Sequence, residues 1–214
     1  MSTIAILGTG VVSQALAIGF KKYGNDVVMG TQHPEKKIEW KDPSLKSTPV
    51  VTYQEAVKKV ELIVLAVKGT AAESVVKSVS SLLSNKTVID VVNPIADSPP
   101  EQGVLKFFTN LDESLMERLQ KIAPQAHFVK AFNSVGNAFM VNPDFGGIKP
   151  TMFICGDDAG AKKEVIGILT KFGWEIEDMG GTPAARAIEP LCMLWCIPGL
   201  QRNQWSHAFK LLKK

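Results

Sequence analysis

The first 34 residues spell strand, glycine turn, helix, strand, an order that few folds can accommodate. Thr3-Ile4-Ala5-Ile6-Leu7 is a short apolar run ending in glycine, the pattern of a strand buried on both faces of a parallel sheet. Gly8-Thr9-Gly10 breaks it. From Val11 to Tyr23 apolar residues recur at helical spacing (Val12, Leu16, Phe20), with Ala15 and Gly19 as small packing positions. Gly24-Asn25 supplies the C-terminal stop. Val27-Val28-Met29 forms a second strand, stopped by Gly30-Thr31-Gln32-His33-Pro34.

The alternation continues along the chain. Strands are predicted at Val50–Thr52, Leu62–Val67, Thr87–Val92, Phe128–Phe132, Met152–Cys155 and Trp174–Glu177. Helices are predicted at Tyr53–Val60, Ala71–Leu83, Ser114–Ile122 and Ala159–Phe172. Glu101–Asn110 is weakly patterned and reads as an exposed loop. From Thr182 onward no strand pattern returns, and Pro183–Leu212 reads as helical, broken near Pro198-Gly199. Strands alternating with helices imply right-handed crossovers and a mostly parallel sheet. The expected fold is therefore α/β, a Rossmann-type doubly wound sheet over residues 1–180. A small helical portion, residues 181–214, would pack on it.

A chain of 214 residues, 45% hydrophobic, is long enough for a full core. Its formal net charge of +3 is mild, and Lys36-Lys37 and Lys213-Lys214 read as solvated charge. Without a long basic run or an aromatic-basic stripe, no nucleic-acid partner is expected. No window approaches the ~20 apolar residues of a membrane span. Ser2-Thr3 leads straight into strand with no basic leader, so no signal peptide is expected. Cys155, Cys192 and Cys196 make no disulfide framework, and the spacing of Cys192 and Cys196 is not that of a CxxC redox pair. These features lead us to expect a reduced, cytoplasmic protein with three buried thiols.

The glycine turn carries the chemistry. Gly8 suits a tight turn and Gly10 lets backbone approach a pyrophosphate closely. The free N–H groups of a helix starting at Val11 would face the phosphates, with the helix dipole in their favour. Ser13 stands where the fingerprint has its third glycine. The bland alternative is a tight turn without ligand. At the end of the second strand, NAD enzymes place an acid on the adenosine ribose 2′-hydroxyl. Here Gly30-Thr31-Gln32-His33 contains none, which permits a 2′-phosphate and hence NADP(H). Thr31 and Gln32 can donate to phosphate oxygens, and His33 and Lys36 are the nearest positive charges, although Lys36 can equally be a plain surface lysine. Ligands on open α/β sheets bind at the carboxyl ends of strands. That places Ala66-Val67-Lys68 and Asn93-Pro94 along the cofactor, and Ala131 to Ser134 near the nicotinamide. Asn93 and Asn133 read either as cofactor contacts or as loop caps.

Four motifs in this order resemble a known family: Ile6-Leu7-Gly8-Thr9-Gly10 with Val28-Met29-Gly30-Thr31, then Asp90-Val91-Val92-Asn93-Pro94, then Val129-Lys130-Ala131-Phe132-Asn133, then Ile154-Cys155-Gly156-Asp157-Asp158. The chain is similar to the NADP-dependent coenzyme F420 oxidoreductases and, through the same stretches, to the cytosolic reductase domain of the six-transmembrane metalloreductases. The resemblance covers about residues 3 to 212. It implies hydride transfer between NADP(H) and a flavin-like or deazaflavin (F420) ring. It also implies that Thr9, Gly10, Val11 and Val12 hold the pyrophosphate, and that Thr31, Gln32 and Lys36 hold the 2′-phosphate. The Gly69-to-Glu73 stretch and Asn133 to Asn137 would line the rest. The family usually has Ser-Arg or Thr-Arg where this chain has Thr31-Gln32. Its helical C-terminus implies an acceptor wall, here Pro183, Leu191, Trp195, Pro198 and Trp205, and a homodimer contact; those residues can equally be simple core.

No catalytic residue and no metal site is expected. His33, His127 and His207 are scattered, and no nucleophile–base pair, metal-ligand spacing or Walker-type loop occurs. Hydride transfer between two rings fits this, because cofactor and acceptor carry the reaction. Two other readings stay open. One is an imine or ketone reductase of the pyrroline-carboxylate or β-hydroxyacid type, in which Lys68 or Lys130 would donate a proton. The other is a non-catalytic NADP(H)-binding redox sensor.

Overall fold

The structure, a computed structural model, describes residues 2–214. Its strands, in chain order, are β1 (Thr3–Leu7), β2 (Asp26–Thr31), β3 (Val50–Thr52), β4 (Leu62–Leu65), β5 (Thr87–Asp90), β6 (His127–Lys130), β7 (Thr151–Ile154) and β8 (Glu175–Asp178). The helices are α1 (Val11–Lys22), α2 (Tyr53–Val57), α3 (Gly69–Val79), α4 (Leu115–Ile122), α5 (Ala159–Lys171), α6 (Ala185–Ile188) and α7 (Leu191–Arg202).

Strands β1 to β6 form one parallel sheet in the order β3-β2-β1-β4-β5-β6. The period-two alternation of a strand explains the two layers that cover it. Ile4, Ile6, Val64 and Ile89 point to one face and pack with Leu16 and Phe20 of α1 and Val165 and Leu169 of α5. Ala5, Leu7, Ile63, Leu65 and Val88 point to the other and pack with Val57, Val76, Leu115 and Leu119 of α2, α3 and α4. The chain runs outward from β1 in both directions, so the strand order switches between β1 and β4, where a crevice opens at the carboxyl ends.

Several boundaries differ from expectation. β4, β5 and β6 stop at Leu65, Asp90 and Lys130, leaving Ala66–Lys68, Val91–Pro94 and Ala131–Ser134 as irregular chain above the sheet. α3 starts earlier, at Gly69, and ends at Val79 in a 3-10 turn. α2 stops at Val57, held at its start by a Thr52–Glu55 capping box. β7 and β8 do not join the large sheet; they pair with each other and touch it through one antiparallel bridge, Lys130 to Cys155. Residues 95–108 fold into a hairpin, with bridges Ile95–Phe107 and Glu101–Val104.

The expected helix break at Pro198-Gly199 does not occur. α7 runs through both and ends at Asn203 in the left-handed region. Proline costs one helical bond there, and Gly199 is required instead by packing, since a Cβ would run into the Trp205 ring. Nor is the chain helical beyond Arg202: it turns back along β7, with Thr151 N–H donating to the Phe209 carbonyl (2.9 Å) and Leu211 N–H to Thr151 Oγ1 (3.1 Å). His207 therefore lies on this extended tail, its ring stacked 4.9 Å from that of Trp195. Among the described residues no helix is long and apolar enough to cross a membrane, and no group of three His, Cys, Asp or Glu is placed to hold a metal.

Candidate dinucleotide site

Gly8 leaves β1 with φ +121, a left-handed conformation that disfavours any side chain. Its N–H donates to the Gly30 carbonyl at 2.8 Å, and a Cβ there would run into the Ala66 carbonyl and approach Ser13 Oγ to 2.7 Å. Ser13 suits its place because its hydroxyl donates to that same carbonyl at 3.0 Å, pinning α1 to the end of β4. Gly10 differs from Gly8. It caps α1 in extended backbone (φ −73, ψ −178), and a Cβ there would meet nothing within 4 Å. The amides of the first turn of α1 lack helical partners, no side chain caps them, and no acidic residue stands in that turn. They open onto empty space.

That space is a cleft of about 380 Å³, lined by Gly10 to Val12, by Ala66 to Gly69, and by Val91 to Asn93 with Ile95 and Ala96. Gly69 permits its shape, since a Cβ on it would run into the Asn93 carbonyl. At the β5 and β6 ends two carboxamides are chained together. Asn93 Nδ2 donates to the Asn133 carbonyl (2.9 Å), and Asn133 Nδ2 to the Ile188 carbonyl (2.6 Å). Their oxygens, Asn93 Oδ1 and Asn133 Oδ1, are buried without a partner. An unsatisfied buried acceptor costs roughly 1–3 kcal/mol, so both fit a ligand donor such as a carboxamide NH₂ or a ribose hydroxyl. Phe132, just before Asn133, is held at φ +60 and almost fully buried. Such strain on a bulky residue is retained where surroundings over-determine it, often at functional sites; here it turns the chain at the tip of β6.

The other end of the crevice is a second hollow of about 280 Å³ lined by Thr31 and Gln32 together with Tyr53, Ser74 and Ser78. Burial raises the Tyr53 phenol above its ordinary value, opposed in part by a backbone hydrogen bond from Gln32. His33 and Lys36 stand beside it on an exposed turn, His33 being 3.3 Å from Glu35. Gln14, which sequence reasoning passed over, straps this loop down: its buried amide bonds the Thr9 and Glu39 carbonyls and the Lys41 N–H at 3.0, 3.2 and 2.8 Å.

The structure thus brings Gly10, Val11, Val12, Ala66, Val67, Lys68, Gly69 and Asn93 to one cleft and Thr31 and Gln32 to its neighbour. Gly8, Thr9, Pro94 and Asn133 frame them. Ala131 lies in the core beneath, Asn137 is exposed on a 3-10 turn, and the Glu73 carboxylate faces Arg118 on α4 at 3.5 Å. Neither lysine is placed as a proton donor. Lys68 is exposed and paired with Asp97. Lys130 is fully buried between Asp90 and Glu189, each 2.9 Å away. Burial alone would lower Lys130, but the two carboxylates outweigh it and raise the ammonium above its ordinary range. This triad was missed; its one signal is a charged residue closing each of two apolar strands, Asp90 and Lys130, which the parallel register sets side by side.

Beyond the hairpin lies a largely apolar cleft of about 580 Å³, lined by Leu105, Phe107, Leu111, Arg186, Pro190 and Met193 among others. Trp195 and Trp205 do not line it; their rings pack on each other, with centroids 5.6 Å apart. The expectation of three buried thiols holds for Cys155 and Cys192, whereas Cys196 is half-buried.

Residues 3–94, the glycine-turn half of the sheet, match the family described as NADP oxidoreductase, coenzyme F420-dependent. Metalloreductase STEAP3 from Rattus norvegicus is 32% identical over 203 residues, covering 92% of this chain and 38% of that protein. The chain therefore spans well under half the length of that relative. A solved structure from Arthrobacter sp. FB24, provisionally named an F420-dependent NADP-reductase, superposes with a TM-score of 0.91 at 25% identity, each chain covered in full. A reductive aminase from Aspergillus terreus, solved with NADPH and ethyl levulinate, shares the fold at TM-score 0.64 and 16% identity over 94% of this chain and 62% of its own. Over its glycine-turn half the chain thus matches the NADP oxidoreductases described as coenzyme F420-dependent, and over its whole length it is similar to a solved protein named for that activity.

Proposed function

We propose that this protein moves a hydride between NADP(H), lying along the carboxyl ends of the sheet, and a flavin-like or deazaflavin acceptor. One observation carries the reading. A single cleft runs from the open amides at the start of α1 to Asn93 beyond β5, whose buried carboxamide oxygen has no partner and whose Nδ2 bonds the backbone of Asn133, a second residue with an unpartnered oxygen. The first suits a pyrophosphate, the second the donors of a nicotinamide carboxamide or its ribose. Gly8, Thr9, Gly10, Val11 and Val12 hold the pyrophosphate. Thr31, Gln32, His33 and Lys36 surround the 2′-phosphate. Ala66 to Gly69, Glu73, Asn93, Pro94, Ala131, Asn133 and Asn137 complete the cofactor's surroundings, with Glu73, Ala131 and Asn137 acting at the margin.

NADPH, when bound, supplies the hydride. The chain's own residues bind, orient and exclude water, work that needs no acid–base pair. The apolar cleft between the hairpin and α7 is the acceptor's place in this reading, which makes residues 181–214 the acceptor-side segment. Exposed Leu194 and Leu200 on α7 support the same segment as a homodimer contact. Free thiols support a reducing, cytoplasmic setting.

Steady-state NADPH oxidation with a deazaflavin, FMN and pyrroline-carboxylate as alternative acceptors tests the proposal. Turnover with the deazaflavin or FMN is the expected result. Turnover with the imine alone would move the protein to the imine reductases, and tight NADPH binding with no turnover would make it a sensor.

A further inference from the structure

The buried Asp90–Lys130–Glu189 network is given no cofactor contact in the reading above, although Glu189 also borders the apolar acceptor cleft, and it reaches both ends of the carboxamide chain. Every ammonium proton of Lys130 is committed: to Asp90 Oδ2 (2.9 Å), Glu189 Oε1 (2.9 Å) and the Val92 carbonyl (2.5 Å). Asp90 Oδ1 accepts from Val92 N–H at 2.9 Å, so Val92 is gripped at its amide and its carbonyl by the two halves of one ion pair. The next residue is Asn93. At the far side, Glu189 accepts from the Leu115 and Met116 amides (2.9 and 3.0 Å), the first turn of α4, where the helix dipole favours a carboxylate. The residue before it, Ile188, supplies the carbonyl that takes Asn133 Nδ2. Asn133 is thus aimed by a bond to the residue beside Glu189, and Asn93 follows directly on Val92, which Asp90 and Lys130 hold. Three charged groups with no solvent exposure to speak of are costly to bury, and well-packed apolar residues would serve stability as well or better. What they do supply is a fixed geometry linking the C-terminal segment to the tips of β5 and β6.

We propose that Lys130 and Glu189 are positioning residues for the nicotinamide: their ion pair locks Val92 and Ile188, and through them turns the oxygens of Asn93 and Asn133 toward the ring's carboxamide and its ribose. This rests on the cofactor reading given above. The network acts on the nicotinamide half alone, because the pyrophosphate amides of α1 and the Thr31–Gln32 hollow make no contact with it.

The test compares two ligands, NADPH and 2′-phosphoadenosine diphosphoribose, which lacks the nicotinamide. Dissociation constants are measured by calorimetry for the wild-type chain, for Glu189→Gln and for Lys130→Met, with folding checked by circular dichroism. Glu189→Gln keeps an acceptor for the α4 amides and removes the charge that faces Lys130. Expected is a loss of roughly tenfold for NADPH, the lower end of what removing the supporting partner of a metal-binding side chain costs, with the fragment's affinity unchanged. Should Lys130→Met or Glu189→Gln fail to fold, Glu189→Asp, which keeps the charge but withdraws it by one methylene, carries the same expectation. Equal loss for both ligands would show a merely structural role, and no loss for either would overturn the proposal. If the wild-type chain bound neither ligand, the cofactor reading itself would fall.

Discussion

Replacing Gly10 by valine separates binding from folding. The backbone at Gly10 is extended and open to any residue, and an added Cβ meets no atom within 4 Å. Valine is a poorer N-cap than glycine by about 0.5–1 kcal/mol. Restricting the unfolded chain returns about 0.4–1 kcal/mol, so the fold should be nearly indifferent. Binding should not be. The side chain would fill the space in front of the first-turn amides of α1, where a pyrophosphate must sit. Hydrogen bonds to charged groups are worth roughly 1.5–3 kcal/mol each. Losing two of them costs about 3–6 kcal/mol, or roughly a hundredfold to ten-thousandfold in affinity. NADPH titration followed by nicotinamide fluorescence, beside thermal melting of the free protein, reads both quantities. Gly8→Ala is the contrasting control, since φ +121 and the Ala66 carbonyl make it a folding lesion first. A Gly10→Val chain with wild-type melting and wild-type NADPH affinity would refute the reasoning.

Gln32→Arg should tighten NADPH relative to NADH, because a guanidinium reads a phosphate through paired bonds; an unchanged ratio of dissociation constants would remove Gln32 from the 2′-phosphate hollow. The Arg186 guanidinium beside Glu117, helped by the Ser114 cap, holds that carboxyl at about 2, below its ordinary 4.5. A lowered carboxyl contributes stability that is present above pH 4.5 and lost as pH falls toward 2, so Glu117→Gln should flatten the acid limb of the stability–pH curve. Among the thiols, Cys196 should alkylate first: a hydrogen bond from Cys192 lowers it, whereas burial pushes Cys155 up to about 12. Mass spectrometry after brief iodoacetamide treatment checks this, and equal labelling of all three would contradict it.

Much of this was legible from local pattern. The turn Gly8-Thr9-Gly10 between an apolar run and a 3.6-period segment fixes strand, turn and helix within a residue of their observed ends. The alternation that follows fixes the parallel sheet, and the sheet fixes which loops meet at its carboxyl edge. What escaped depends on register or on distant packing. Asp90 and Lys130 are forty residues apart in sequence and become neighbours only when β5 pairs with β6. Glu189 joins them from a third element, and nothing local marks it. Pro198 reads as a helix breaker, but Trp205 packing over Gly199 and the left-handed stop at Asn203 set the end of α7 instead. The tail after Arg202 carries no strand pattern because only two of its backbone groups, at Phe209 and Leu211, bond to β7.

The most direct test of the account is a calorimetric titration of the wild-type protein with NADPH and with NADH. The account predicts one site per chain, with NADPH the tighter ligand because the strand-end residues Thr31, Gln32 and His33 include no acid and Thr31 and Gln32 line the hollow there. Absence of a binding isotherm for either dinucleotide would contradict it.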